Sequence, residues 1–166
     1  MLWKIICIFA LFIFVFILIL RGMKGPAYHL DRIEVPIAVL LKRGYNGGFL
    51  IIYDTNTNYF LQFSKYISKP NDYGIEFCFS NTTWSSKFFY ELIELCKHER
   101  MCYYISKKED NTKDSIEFLN IDFGRDVKSA YNFSRKILLD IFKLDETTKL
   151  FIRLENATTE NVLIDK

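Results

Sequence analysis

With 166 residues, of which the first two dozen read as a membrane segment, the chain leaves about 140 for a soluble part, the usual size of one domain with one core. Its 22 basic and 20 acidic residues give a formal charge of +2, but Lys4, Arg21 and Lys24 belong to the apolar N-terminus, and without them 19 stand against 20, a net −1. That balance lacks the cationic stripe from which a nucleic-acid surface draws most of its affinity, so no nucleic-acid partner is expected.

The run from Ile5 to Leu20 is wholly apolar, and Leu2 and Trp3 extend it across the single Lys4 to roughly 19 residues, close to the ~20 that a helix needs to cross hydrocarbon. Leu2, Ile5, Phe9, Phe12, Phe16 and Leu20 mark the expected span, with Trp3 and Lys4 at one interface and Arg21 and Lys24 at the other. A secretory signal also begins with a charge before an apolar core. Here the core is followed by Arg21-Gly22-Met23-Lys24 rather than by the small residues of a cleavage site, which favours a retained single-pass anchor over residues 1–24. Cys7 lies inside the core after Ile6, which is not the setting of a lipidated cysteine.

Arg21, Lys24 and Arg32 outnumber Lys4 plus the amino terminus, so the soluble part is expected on the cytoplasmic side of the cell membrane. Cys78, Cys96 and Cys102, an odd number without framework spacing, agree with a reducing compartment. The 16 Phe and 10 Tyr supply large rings for a core or for a binding face.

Along the chain after Pro26, an apolar stripe of Ile33, Ile37, Val39, Leu40 and Leu41 predicts a short helix over residues 31–43, with Pro36 as a candidate kink. Gly44, Gly47 and Gly48 break it as a turn. Residues 49–53 and 59–66 predict strands joined through a polar turn at 54–58, and residues 75–79 predict a third strand after a turn at 69–74, completing an antiparallel meander. Ser85 or Ser86 is placed to cap a helix whose Phe88, Leu92, Leu95 and Cys96 share one face. Residues 102–106 and 116–121 predict strands around an exposed polar loop at 107–115. Asp122 is placed to cap a last helix of about five turns, in which Val127, Ala130, Tyr131, Ser134, Leu138, Ile141 and Phe142 recur at 3.6-residue spacing. A strand over 149–154 and a polar tail over 156–166 close the chain. The fold class expected is therefore α+β: a transmembrane helix, then a domain over 25–155 with an antiparallel sheet packed by two to three helices.

Two stretches carry a family resemblance. Tyr59-Phe-Leu-Gln62-Phe63, followed by Glu76-Phe-Cys-Phe-Ser80-Asn81, and the helix Ala130-Tyr-Asn-Phe-Ser-Arg-Lys-Ile-Leu-Leu-Asp140-Ile-Phe-Lys-Leu are similar to the strand and helix patterns of the type III secretion chaperone-like (TY-Chap) domains. The resemblance covers residues 30–155. It departs in the preceding anchor and in the charged run Lys97-His98-Glu99-Arg100, where that family has a glycine. What it implies is a non-enzymatic domain that binds a protein client through its sheet or its helical face.

For chemistry, Cys96-x-His98-x3-Cys102 with Cys78 offers four soft ligands, but the spacing is poor for structural zinc and Cys96 fits the apolar face of its helix; no metal and no cofactor is expected. No nucleophile elbow or phosphate loop appears, and with two histidines the usual general bases are nearly exhausted, so no catalytic residue is assigned. The partners expected are the lipid bilayer and a protein, bound as an adaptor or chaperone would bind its client or as a membrane-anchored immunity protein would bind a toxin. A thiol-dependent membrane enzyme is the third reading. Tyr59, Phe63 and Tyr66 are candidate protein-binding rings on one side of the first hairpin, set against a reading in which they line the core.

Overall fold

The computed structural model describes residues 27–109 and 115–157. The expected span from Leu2 to Leu20, most of the loop 107–115 and the tail from 158 onward lie outside the described residues. Among the described residues no helix is long and apolar enough to cross a membrane.

The domain is α+β, with seven antiparallel strands and three helices. In chain order these are β1 (Ala27–His29), a 3-10 turn (Leu30–Arg32), α1 (Glu34–Arg43), β2 (Gly44–Tyr53), β3 (Phe60–Lys69), β4 (Asp72–Ser80), α2 (Ser86–His98), β5 (Tyr104–Glu109), β6 (Ser115–Gly124), α3 (Val127–Lys136), which runs on into a π turn (Ile137–Ile141), and β7 (Lys149–Ala157). The sheet order is β1-β7-β2-β3-β4-β6-β5. The meander β2-β3-β4 and the hairpin β5-β6 stand in the expected order, but their strands run further than expected: residues 107–109 and 115 of the expected loop and 72–74 of the expected turn pair as strand. β1 is an addition: three residues give too short a period to be read, and β1 exists only by pairing with β7, Tyr28 opposite Leu150.

The apolar side of the sheet is built by strict alternation. Leu50 and Ile52 of β2, Leu61 and Phe63 of β3, Ile75, Phe77 and Phe79 of β4, Leu119, Ile121 and Phe123 of β6, and Leu150 and Ile152 of β7 are all buried. Against them lie Ile37 and Leu40 of α1, Ala130 and Phe133 of α3, and Phe142 just after the π turn. The rings meet edge-on, Phe77 against Phe63 at 5.5 Å and against Phe133 at 5.4 Å, the arrangement that the aromatic quadrupole prefers. Ile137, Leu138, Ile141 and Phe142, in and just after the π turn, are all buried.

Four local expectations are corrected. Pro36 does not kink α1, because it occupies the first turn, where its missing N–H had no helical partner to lose. Ser85 stands at the N-cap of α2 but its hydroxyl does not cap; it donates to the Ser80 carbonyl at 2.5 Å and accepts from the Thr82 N–H, closing the turn before the helix. The cap of α3 is Asp126, whose carboxylate accepts from the Ser129 N–H at 2.9 Å, whereas Asp122 lies within β6. The glycines after α1 form no separate turn: they open β2 with a register shift between Gly44 and Phe49, and a side chain at Gly48 would collide with the Asn156 carbonyl. At the end of α2, Arg100 takes the left-handed conformation (φ 54°), and the Met101 N–H bonds the Cys96 carbonyl, a helix termination that glycine usually supplies.

Two buried polar groups hold the frame. Asp54, 1 % exposed, accepts from the Asn56 and Thr57 N–H groups and the Thr57 hydroxyl, and so fixes the β2–β3 turn. Lys65 points into the helical side of β3, where its ammonium donates to the Leu41 carbonyl at 2.6 Å in the last turn of α1; desolvation lowers its pKa. Replacing Asp54 by Ala is expected to destabilise the domain by about 2 kcal/mol, by loss of three acceptor contacts, while Asn, which keeps one acceptor oxygen, costs less. Urea unfolding followed by tryptophan fluorescence checks both.

Candidate functional site

All three helices lie on one side of the sheet, so the side chains of opposite parity form a face that no described element covers. The register lays these side chains in rows. Arg153, Ile51, Gln62, Cys78, Asn120 and Tyr104 stand side by side across β7, β2, β3, β4, β6 and β5. The row on one side runs through Phe151, Tyr53, Phe60, Ser80 and Phe118, and the row on the other through Glu155, Phe49, Ser64, Glu76 and Asp122. Phe49, Ile51, Tyr53, Phe60 and Phe118 are half-buried, held by neighbours in the sheet plane and open above it. A hollow of about 570 Å³ lies among Ile51, Tyr53, Asn58, Phe60 and Arg153.

At one end of the sheet the aromatic side chains wrap around the edge. Trp84, in the turn before α2, touches Phe60 on the open face (4.9 Å between centroids) and Phe79 and Phe88 on the covered side (5.8 and 6.5 Å). Toward the other end the open face is polar. The carboxylates of Glu76 and Asp122 face each other on adjacent strands, a juxtaposition that like charges disfavour. Each is met by a phenol: the Tyr104 hydroxyl donates to Glu76 at 2.6 Å and the Tyr66 hydroxyl to Asp122 at 3.0 Å. Gly74, opposite Tyr66, leaves the room, since a side chain there would press on the Tyr66 hydroxyl. Donating to carboxylates favours the neutral phenol. The pKa of Tyr104 is pushed up to about 12 chiefly by its hydrogen bond to Glu76, and that of Tyr66 to about 12 by desolvation first and the bond to Asp122 second.

Tyr59, Phe63 and Tyr66 do not come together. Phe63 is fully buried against Phe77 and Phe123. Tyr59 is half-buried between Phe88 and Phe142 on the covered side. Tyr66 stands on the open face, because residues three apart on a strand point to opposite sides. Leu61, on the same side of β3 as Phe63, is also fully buried. The residues that do share the open face, Phe49, Ile51, Tyr53 and Phe60 above all, were legible only once the inward parity was known.

The soft-ligand cluster does not assemble either. Cys96 is buried in the core, Cys102 is exposed, and the His98 ring is 83 % exposed beside the Glu99 carboxylate. Among the described residues no three His, Cys, Asp or Glu side chains are placed to hold a metal ion. Burial pushes the thiols of Cys96 and Cys78 up to about 11, with Glu76 adding to the effect at Cys78, so both are held as thiols rather than as nucleophilic thiolates. The chain matches no family model, no curated protein and no solved structure.

Two outcomes follow from this geometry. In the native protein at pH 8, brief maleimide labelling read by peptide mass mapping is expected to modify Cys102 at least about tenfold faster than Cys96, because thiolate fraction and access both fall with burial. The phenol–carboxylate pairs carry a definite sign: their folded pKa values lie above the ordinary value near 10, so their stabilisation is complete below pH ~10 and is lost as pH rises toward ~12. The stability gap between wild type and Tyr66→Phe/Tyr104→Phe, measured by urea unfolding, should therefore shrink across that interval.

Proposed function

We propose that the chain is a membrane-tethered, non-enzymatic protein-binding domain of the chaperone-like kind, and that it binds its partner on the open face of the sheet. The observation that carries this reading is the face that no described element covers: Phe49, Ile51, Tyr53 and Phe60 stand half-buried in adjacent positions, with Phe118 across Ser80 and a polar margin of Arg153, Glu76 and Asp122. Aromatic centres with polar rims are the composition of protein interfaces, and contiguous apolar patches on a monomer usually mark them. The protonated state of Cys78 and Cys96 also supports binding over thiol chemistry. A tether would raise the local concentration of the domain near membrane clients without any new contact. The adaptor and immunity readings use the same face and differ only in what occupies it.

The test is a photo-crosslinking residue at Ile51 of the full-length chain in cells, with a second at Tyr90 of α2 as control. One stoichiometric protein captured from Ile51 and not from Tyr90 is expected. Ile51→Ser/Tyr53→Ser should weaken the purified complex by at least about thirtyfold, as removal of central interface anchors does, with the unfolding midpoint little changed. A partner that binds this variant as tightly as wild type would remove the open face from the reading.

A further inference from the structure

We propose that the outward side of α1 is a membrane-contact surface that takes anionic phospholipid headgroups. This inference rests on the tethered reading above. A second hollow, of about 790 Å³, runs along α1 from the 3-10 turn that precedes it, with Val35, Ala38 and Val39 as its floor and Arg32, Lys42 and Arg43 on its rim. Val35 is 52 % exposed in a helix whose Pro36, Ile37 and Leu40 are buried. The two acidic residues at the hollow are Asp31 and Glu34, and the Glu34 carboxylate lies 3.8 Å from the Lys128 ammonium, so Arg32 and Lys42 stand against Asp31 on the rim.

Chemistry and place both point to lipid. The floor is small and aliphatic, without the aromatic anchors that fill protein interfaces, whereas a short apolar floor beneath arginine and lysine is the composition of helices that lie in the headgroup layer. The apolar run ends at Leu20 and β1 begins at Ala27, so at most about 25 Å of chain separates a bilayer-spanning segment from the domain. Arg32 follows only five residues later. The part of the domain that carries the hollow is thus the part held nearest the membrane. The cytoplasmic placement expected from the flanking charges would present it to the anionic leaflet.

The experiment uses the full chain in nanodiscs of phosphatidylcholine alone or mixed with phosphatidylglycerol. With Cys102→Ser to silence the exposed thiol, an environment-sensitive fluorophore is placed at Val35→Cys or at Ile105→Cys, and quenching by lipids spin-labelled in the headgroup is read. Quenching at position 35 in the mixed discs, none at 105, and its loss in Arg32→Glu/Lys42→Glu at equal disc incorporation is the expected result. An incorporated chain whose position 35 is unquenched overturns the proposal. So does quenching that is the same in phosphatidylcholine alone and indifferent to the charge reversals, which would mean that the hollow is covered by the chain's own N-terminal residues or by uncharged lipid contact. A chain that fails to enter the discs at all would instead sink the tethered reading, and is told apart by its absence from the lipid-bearing fraction.

Discussion

The register of the β2–β3 hairpin decides which side chains of the sheet meet the helices. Asp54 closes that hairpin from a buried position, and the pairs Leu50–Phe63 and Ile52–Leu61 follow from the turn it makes. Because side chains alternate with a period of two, a slip of one residue would turn Gln62, Ser64 and Tyr66 of β3 toward α1 and expose Leu61 and Phe63. Each buried apolar side chain is worth about 1.5–3 kcal/mol, so the wrong register would forfeit several such contributions at once. β4, β6 and β7 then take their parity from β3 and β2 through the ladder, and α1 and α3 have one apolar surface on which to pack.

The covered side nevertheless admits polar atoms, each with a partner. Lys65 would carry a charge into the core without a carboxylate beside it, and is tolerated because it ends at the carbonyl pole of α1, where the helix dipole favours a cation. The Ser134 hydroxyl returns its hydrogen bond to the Ala130 carbonyl one turn back, just before the π turn, and on the opposite face the buried Asn120 is held by the Phe118 carbonyl and the Ser106 hydroxyl. Among the described residues no buried side-chain nitrogen or oxygen lacks a partner. That completeness keeps these groups from acting as weak points in a core otherwise made of Phe, Leu and Ile.

How far the sequence speaks follows from the same alternation. The three helices were legible because their apolar residues recur at 3.6 and their polar faces are clean. The meander was legible because Asp54–Asn58 and Pro70–Gly74 punctuate it. The open face was not. β2 reads Phe49-Leu-Ile-Ile-Tyr53, apolar on both sides, so no alternation exists to reveal which side is covered, and in β3 the inward Lys65 imitates a solvent position. Tyr59, Phe63 and Tyr66 share a chemistry, but parity puts Tyr59 and Phe63 on the covered side and Tyr66 on the open one. Asp122 and Asp126 are equally good caps on paper; tertiary structure extends β6 to Gly124 and leaves only Asp126 at the helix start. The π turn has no sequence signature, because Ile137, Leu138, Ile141 and Phe142 share one face of a regular helix as well.

A sheet that is apolar on a face no described element covers carries two separate liabilities, its edges and that face, and the chain treats them differently. At one edge β1 offers only three residues, and at the other β5 carries Lys107 and Lys108, the short strands and lysines that discourage further strand pairing. The face between those edges keeps Phe49, Ile51, Tyr53, Phe60 and Phe118 where polar residues would serve solubility better. If exposure of these side chains were only tolerated, the simplest relief would be the Ser, Thr or Lys that the other face of an antiparallel sheet ordinarily carries. Guarded edges beside an apolar face are why the proposed binding site is the face and not the β5 edge.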